Sequence, residues 1–405
     1  MRIVPLLMAT LLVSACSDPQ ATLSTTPAPI KGKAVTVDPW HVIDAFEVGP
    51  DVYVRSLALE PKSADKGDSV WVGTSTGVHE VDLTSQNLRT TFTRAEGLAN
   101  EYVFSLFVDR DNGKWFGTNG GGASHYIDSK WQVLFPMHGL ADYWVYSFAQ
   151  QADGGLWIGT WAGANFIPAG GGQIKTYLKE LVNEWVYGIG VDSKQRVWFG
   201  TEGGISMFDA GADSGQEWRA WTHKDGLGAA NVGNLPISLN TGLGTRSRHD
   251  LNVISDGQST YNPSYVLSVH VDNKDTVWAG TWGGGVSYYA AQNVRGAGSA
   301  QVGADKQWRN YTTQDGLAGD VVYSIAEGKD GSLWFGTDRG VSRFDGKQWY
   351  SYGREQGLLS DHVYAIVVVP GNEVWVGTRG GVTRLGTAVV AEQPAAASSG
   401  KTNEN

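Results

Sequence analysis

Aromatic rings and carboxylates return at two fixed offsets along this 405-residue chain. Directly before seven apolar runs stand Tyr53, Tyr102, Trp144, Trp185, Tyr265, Val321 and His362. Directly after seven Gly-Thr pairs stand Ser75, Asn119, Trp161, Glu202, Trp282, Asp338 and Arg379. Glu101, Glu184, Asp320 and Asp361 each precede a residue of the first set. Aromatic faces beside carboxylates suit a sugar, whose ring stacks while its hydroxyls bond to acids, and an organic cation held by cation–π contact. The same aromatics would also serve to plug a central channel, touching only each other. Trp161 and Trp282 speak for a ligand, because a Trp in a Gly-flanked turn has little packing reason to be there. The expected ligand-binding set is therefore Tyr53, Tyr102, Trp144, Trp161, Trp185, Glu202, Tyr265, Trp282, Asp338, His362 and Arg379.

Catalytic templates fit less well. The 8 histidines are scattered and His-Glu-x-x-His does not occur, so the zinc-protease pattern fails. Gly73-Thr74-Ser75-Thr76-Gly77 matches Gly-x-Ser-x-Gly only because a repeat signature runs into a β-turn with no helix after it, so the serine-hydrolase pattern fails as well. The Gly-x-Gly pieces read as β-turns rather than phosphate loops, since no helix follows them. Asp109-Arg110-Asp111-Asn112-Gly113 has the start of a calcium loop but not its downstream Glu. His362 with Asp361, Asp320 and Glu202 could imitate the His base and cation of a lyase-like propeller, which leaves a metal-dependent enzyme as an alternative. The expectation is no catalytic residue, no resident metal and no cofactor.

What must position these side chains is a repeat. The chain writes Trp, an apolar residue, Gly, Thr seven times, with the Trp at 71, 115, 157, 198, 278, 334 and 375, spaced by 44, 42, 41, 80, 56 and 41 residues. A period near 42 residues, rich in β-formers and Gly turns, predicts an all-β, seven-bladed propeller of four-stranded antiparallel blades. In one copy the strands are expected at 321–326, 333–337, 341–344 and 348–352. The Trp and Gly of each signature project from one face of their strand, the Trp filling the space between blades and the Gly leaving room for a neighbour. The first strands also number seven, so the 80-residue gap is one blade plus an insertion. The last copy lacks an aromatic fourth strand, and Val35 to Ile43 lacks a partner. The two are expected to pair and close the ring, hiding two strand edges. Antiparallel meandering then puts both variable sets on one rim.

The insertion, about 229–262, joins blades four and five on that aromatic rim and exceeds ordinary loop lengths. Its cluster of Arg246, Arg248, His249 and Asp250 reads as a lid or a partner-docking loop. A second insertion, Ala290 to Asp305, falls on the opposite rim. At the start, Arg2, the apolar stretch Val4 to Val13 and Ser14-Ala15-Cys16 make residues 1–15 a secretory signal of lipoprotein type. Cys16, the single cysteine, is the expected lipidation site, which excludes an intramolecular disulfide or zinc-thiolate site. Residues 16–33 read as a tether, 34–386 as the propeller and 387–405 as a disordered tail. A formal charge of −10 argues against nucleic acid.

Asp315-Gly316-Leu317, Val322-Tyr323-Ser324-Ile325, Asp330-Gly331-Ser332-Leu333-Trp334-Phe335-Gly336-Thr337 and Gly340-Val341-Ser342-Arg343-Phe344-Asp345 together resemble the two-component regulator propeller repeat. The resemblance runs from about Asp51 to Leu385. It implies a periplasmic or extracellular sensor module, often coupled to a histidine kinase and often responsive to carbohydrate. No second membrane segment and no kinase can be read in these residues, so a separate sensor kinase would have to carry a signal. Three roles follow: a monomeric, lipid-anchored ring that binds a small ligand, a scaffold for an envelope protein complex, or the lyase-like enzyme. The expected location is the cell envelope, at the outer membrane facing the periplasm, with ligand binding favoured over the scaffold.

Overall fold

Each part of the Trp-x-Gly-Thr signature has a separate mechanical job, and together the jobs make a ring. The structure is a computed structural model that describes residues 38–61, 67–231, 234–237, 260–290 and 308–387. Among these residues, seven four-stranded antiparallel sheets follow in chain order. The sixth blade is typical: Val322–Glu327, Leu333–Thr337, Gly340–Phe344 and Trp349–Tyr352 pair as successive neighbours. Its borders lie within about one residue of those the repeat predicts.

The signature Trp packs onto the following blade. Trp71 meets Phe116 with ring centroids 6.1 Å apart, Trp157 meets Phe199 at 5.1 Å, and Trp278 meets Phe335 at 5.8 Å. In each pair the partner is the apolar second residue of the next signature, so one motif supplies both sides of the seam. The signature Gly admits the first-strand Val of the next blade. A Cβ added at Gly117, Gly159, Gly200, Gly280, Gly336 or Gly377 would stand 2.6–2.8 Å from a methyl of Val145, Val186, Val266, Val322, Val363 or Val54. The Thr hydroxyl closes the following turn. Thr74, Thr160, Thr201, Thr281 and Thr337 each donate at 2.8 Å to the carbonyl of the Gly that opens, or in blade five directly precedes, the third strand.

In five blades the Trp indole N–H is also satisfied: in four by an acceptor six residues upstream in the hairpin, Asp109, Gln151, Asp192 and Asp272, and in the first blade by Glu60 at the end of the first strand, all at 2.7–3.0 Å. The equivalent positions in blades six and seven are Gly328 and Val369, and Trp334 and Trp375 keep a buried Nε1 without an acceptor.

The ring closes as expected, by the N-terminal strand. Trp40–Glu47 pairs antiparallel with Gly381–Thr387 and becomes the outer strand of the seventh blade. This strand sits a few residues later than Val35 to Ile43, because its alternating register continues through Phe46 opposite Val382. Arg384, nearly buried, ties the closure by reaching Asp44 and Glu373, both at 2.8 Å. Trp40 completes the packing with an edge-to-face contact to Trp334 at 4.7 Å.

One regularity matters for everything on the axis. All seven first strands shift register at the same place, between Val54/Ser56, Val103/Ser105, Val145/Ser147, Val186/Gly188, Val266/Ser268, Val322/Ser324 and Val363/Ala365. Such bulges leave one residue out of the ladder and re-aim its side chain. The residues released are Arg55, Phe104, Tyr146, Tyr187, Leu267, Tyr323 and Tyr364, and all seven line the axial channel.

Candidate functional site

The rim bearing both variable sets is built by backbone bonds between them. The carbonyls of Tyr53, Tyr102, Trp144 and Val321 accept from the amides of Ser75, Asn119, Trp161 and Asp338 at 2.9–3.1 Å. These four first-set residues are thereby locked to the second-set residues of their own blades. Tyr53 also bridges to Arg379 across the closing seam, and Trp282 to Val321 across the seam between blades five and six, so neighbouring blades share the mouth.

The residues sort into three sectors. Across blades three and four, Trp144 and Trp161 lie 4.0 Å apart by ring centroid, and Trp161 is backed edge-on by Trp185 at 5.0 Å. Trp185 is buried, whereas Trp144 and Trp161 keep part of their surface open. Glu202 of blade four is also buried. Asp142, which accepts from the Trp144 amide at 2.8 Å, has its carboxyl pushed above the usual range by burial. In blade five Trp282 stacks on buried Tyr265, 5.5 Å apart with planes 10° from parallel, and donates its indole N–H to Thr260 at 2.9 Å. Thr260 ends the long insertion, so the base of that insertion stands at the aromatic rim. Arg246, Arg248, His249 and Asp250 lie outside the described residues, as do Cys16 and residues 16–33.

The third sector is polar. A groove of about 710 Å3 between blades six and seven is lined by Asp338, Arg339, Arg354, Glu355, Asp361 and His362 among others. Burial pushes the Asp338 carboxyl up, while hydrogen bonding from the Val321 amide and the Arg339 charge pull it back. Asp361 is occupied as a turn acceptor for the Arg354 amide at 2.8 Å, and Asp320 for the Thr313 amide at 2.8 Å. Arg379 pairs with Asp51 and lies over the Tyr53 ring at 5.7 Å. Among the described residues no three or more His, Cys, Asp or Glu side chains come together as a metal-holding group, so His362, Asp361, Asp320 and Glu202 do not form the lyase-like centre.

The structure thus brings the eleven expected residues to one rim, in separate sectors. Tyr53, Trp185, Glu202 and Tyr265 are buried supports. Tyr102, Trp144, Trp161, Trp282, Asp338, His362 and Arg379 keep accessible surface. Trp161 and Trp282 differ from expectation in one respect: both have packing partners, since each lies against the first-set aromatic that begins its own blade, Trp161 tilted on Trp144 and Trp282 stacked on Tyr265.

Below the rim lies a layer that the offsets did not single out. The bulged residues form a collar around the axis. Phe104–Tyr146 and Tyr146–Tyr187 centroids lie 4.9 Å apart, Tyr187 meets Tyr265 at 4.8 Å, and Tyr323 meets Tyr364 at 5.3 Å. The available signal was the residue between Val and Ser in the first-strand runs, which is aromatic in five of seven copies.

Comparison with known proteins agrees with this architecture. The family model described as two component regulator propeller matches residues 139–162 and 316–339. No curated protein sequence matches the chain. Among solved structures, the extracellular domain of a hybrid two component system from B. thetaiotaomicron aligns at 17% identity and a TM-score of 0.61, over 88% of this chain. The present chain spans only 43% of that relative's length. A catalytically inactive virginiamycin B lyase from Staphylococcus aureus, with quinupristin, aligns at 13% identity and a TM-score of 0.59, covering 86% of this chain and 100% of the lyase. YCF48 bound to D1 peptide aligns at 11% and 0.56, covering 89% and 99%. At these identities the likeness is one of fold, and the fold hosts ligand binding, catalysis and assembly alike.

Proposed function

Starting from a ring that carries two component regulator propeller repeats, we propose that this protein is a binding subunit that holds a small ligand on its aromatic rim. The observation that carries the proposal is the pair of partly open tryptophan surfaces, Trp161 tilted against Trp144 and Trp282 stacked on Tyr265, each held in place by its ring contact. Rigid aromatic faces cost little entropy on binding, so stacking energy goes into affinity rather than ordering. Asp338, His362 and Arg379 supply hydrogen-bonding and charged groups on the same rim, which suits a carbohydrate. The packing that Trp161 and Trp282 enjoy does not count against this role, because it leaves each ring partly exposed.

The rest of the reading follows the sequence. Lipidation at Cys16 would anchor the ring in the cell envelope, and signalling would require a separate partner such as a sensor kinase. The extracellular placement of the aligned two component domain is in keeping with this location. No helix among the described residues is long and apolar enough to cross a membrane.

Intrinsic tryptophan fluorescence provides the test. Neutral mono- and oligosaccharides titrated into the protein are expected to give a saturable change that the Trp161→Ala/Trp282→Ala variant loses. Losing one stacked ring on each side should weaken binding roughly tenfold or more per site, at about 1–3 kcal/mol for a stacked aromatic. A flat response across the panel would instead favour the scaffold role and a protein partner.

A further inference from the structure

The axial channel below the rim encloses a cavity of about 320 Å3 whose chemistry differs from that of the mouth. Three layers line it: the bulged collar, then Ser56, Ser105, Ser147, Gly188, Ser268, Ser324 and Ala365, then an aliphatic floor that includes Leu57, Ile189 and Val269. Of all its lining residues only Arg55 is charged, and none is acidic. Arg55 takes the place that an aromatic ring holds in five of the other six blades. Its guanidinium lies over Phe104 of the next blade at 5.5 Å and over Tyr364 of the preceding blade at 5.3 Å.

Those two rings attract the charge but accept none of its N–H bonds. The Arg55 Nε is buried and has no hydrogen-bond partner. Three hydroxyls of the layer beneath, on Ser56, Ser147 and Ser324, are likewise buried without a partner. Arg55 as a whole is half-buried, and it is this inward Nε–H that lacks an acceptor among the described residues. A guanidinium donor turned away from water is ordinarily satisfied, because leaving it unmet is costly. Carboxylates near the axis, Asp142, Glu202 and Asp338, belong to the rim above and do not line the cavity. Burial drives the phenols of Tyr146, Tyr187, Tyr323 and Tyr364 well above their ordinary titration range. All four therefore stay neutral and able to donate.

We propose that this cavity is a second binding site, separate from the aromatic rim, for a small carboxylate anion whose counter-ion is Arg55. A planar carboxylate matches the guanidinium fork in shape and charge, and the surrounding hydroxyls offer it further donors. The site does not depend on the rim binding a sugar. The anion comes either as a free organic acid or as the carboxylate of a larger molecule whose body rests on the rim.

Sodium acetate is the probe for the first source, titrated calorimetrically into the protein at constant ionic strength. Saturable binding is expected, weakened roughly 10- to 100-fold by Arg55→Gln and retained by Trp161→Ala/Trp282→Ala. Glucuronate against glucose probes the second. A preference for glucuronate that Arg55→Gln abolishes, without binding of acetate alone, assigns the carboxylate to a rim ligand. Should Arg55→Gln fail to fold, the wild-type arginine Nε–H resonance of Arg55, assigned through Arg55→Lys, is followed by NMR and should move on adding acetate or glucuronate. The proposal is overturned if neither probe binds, if binding survives Arg55→Gln unchanged, or if the Nε–H signal stays fixed.

Discussion

Replacing Asp192 by Ala is expected to lower the stability of the ring by about 3–5 kcal/mol. Asp192 and Arg196 are each 2% exposed, in the hairpin between the first two strands of blade four. One carboxylate oxygen accepts from the amides of Lys194 and Arg196, both at 3.0 Å. The other accepts from the Arg196 Nε at 2.7 Å and from the Trp198 indole at 3.0 Å. Removing it strips a buried guanidinium of this carboxylate and orphans a fully buried Trp N–H at once. Blade five supplies an internal control. Asp272 makes the same turn, accepting from the amides of Lys274 and Thr276 and from the Trp278 indole, but holds no arginine. Asp272→Ala should therefore cost only about 1–3 kcal/mol, the loss from orphaned hydrogen-bond donors. Denaturant unfolding of the two variants checks the difference, and equal losses would show that charge burial contributes nothing.

Adding a methyl group at Gly117 is expected to cost roughly 1–3 kcal/mol, and the same change at Gly73 clearly less. Neither glycine adopts the left-handed backbone, so the comparison isolates crowding at the blade seam. At Gly117 the new Cβ would stand 2.6 Å from the Val145 carbonyl oxygen and 2.7 Å from its methyl, so the whole first strand of blade three must move. At Gly73 it would meet the Ser56 hydroxyl, which has no hydrogen-bond partner and can rotate, and a Val103 methyl at 3.1 Å. Thermal unfolding of Gly117→Ala beside Gly73→Ala reads the contrast. Indistinguishable melting temperatures would mean that the seam is looser than close packing allows.

These two sites also mark what could be read from the residues alone. The spacing of Trp71, Trp115 and the later copies determines the blade number, because a Trp, a Gly and a Thr at fixed offsets are needed at every seam and every turn. Borders such as Leu333–Thr337 were legible for the same reason. The closing strand was legible as an unpaired element at one end meeting a missing element at the other, although its alternation runs on to Glu47.

The axial collar was not legible. A bulge changes the register by one residue without altering composition, so Arg55 and Tyr146 looked like ordinary members of an apolar run. Topology alone put Trp161 and Trp282 on one rim. Their contacts with Trp144 and Tyr265 were hidden, since these depend on how far each turn folds back over the start of its own blade. The buried state of Glu202 and Trp185 was hidden too, as periodicity separates inside from outside along a strand but not along the lip of a ring.

The central claim, that the aromatic rim is where a small ligand rests, is tested most directly by NMR of the protein labelled with 15N at its tryptophan indoles. Saccharides are titrated in, and each rim signal is assigned by single substitution. The account predicts that the indole signals of Trp161 and Trp282 shift saturably together, while those of the seam tryptophans Trp198 and Trp334 stay in place. Rim signals that remain fixed with every saccharide, or shifts confined to the seam tryptophans, would contradict it.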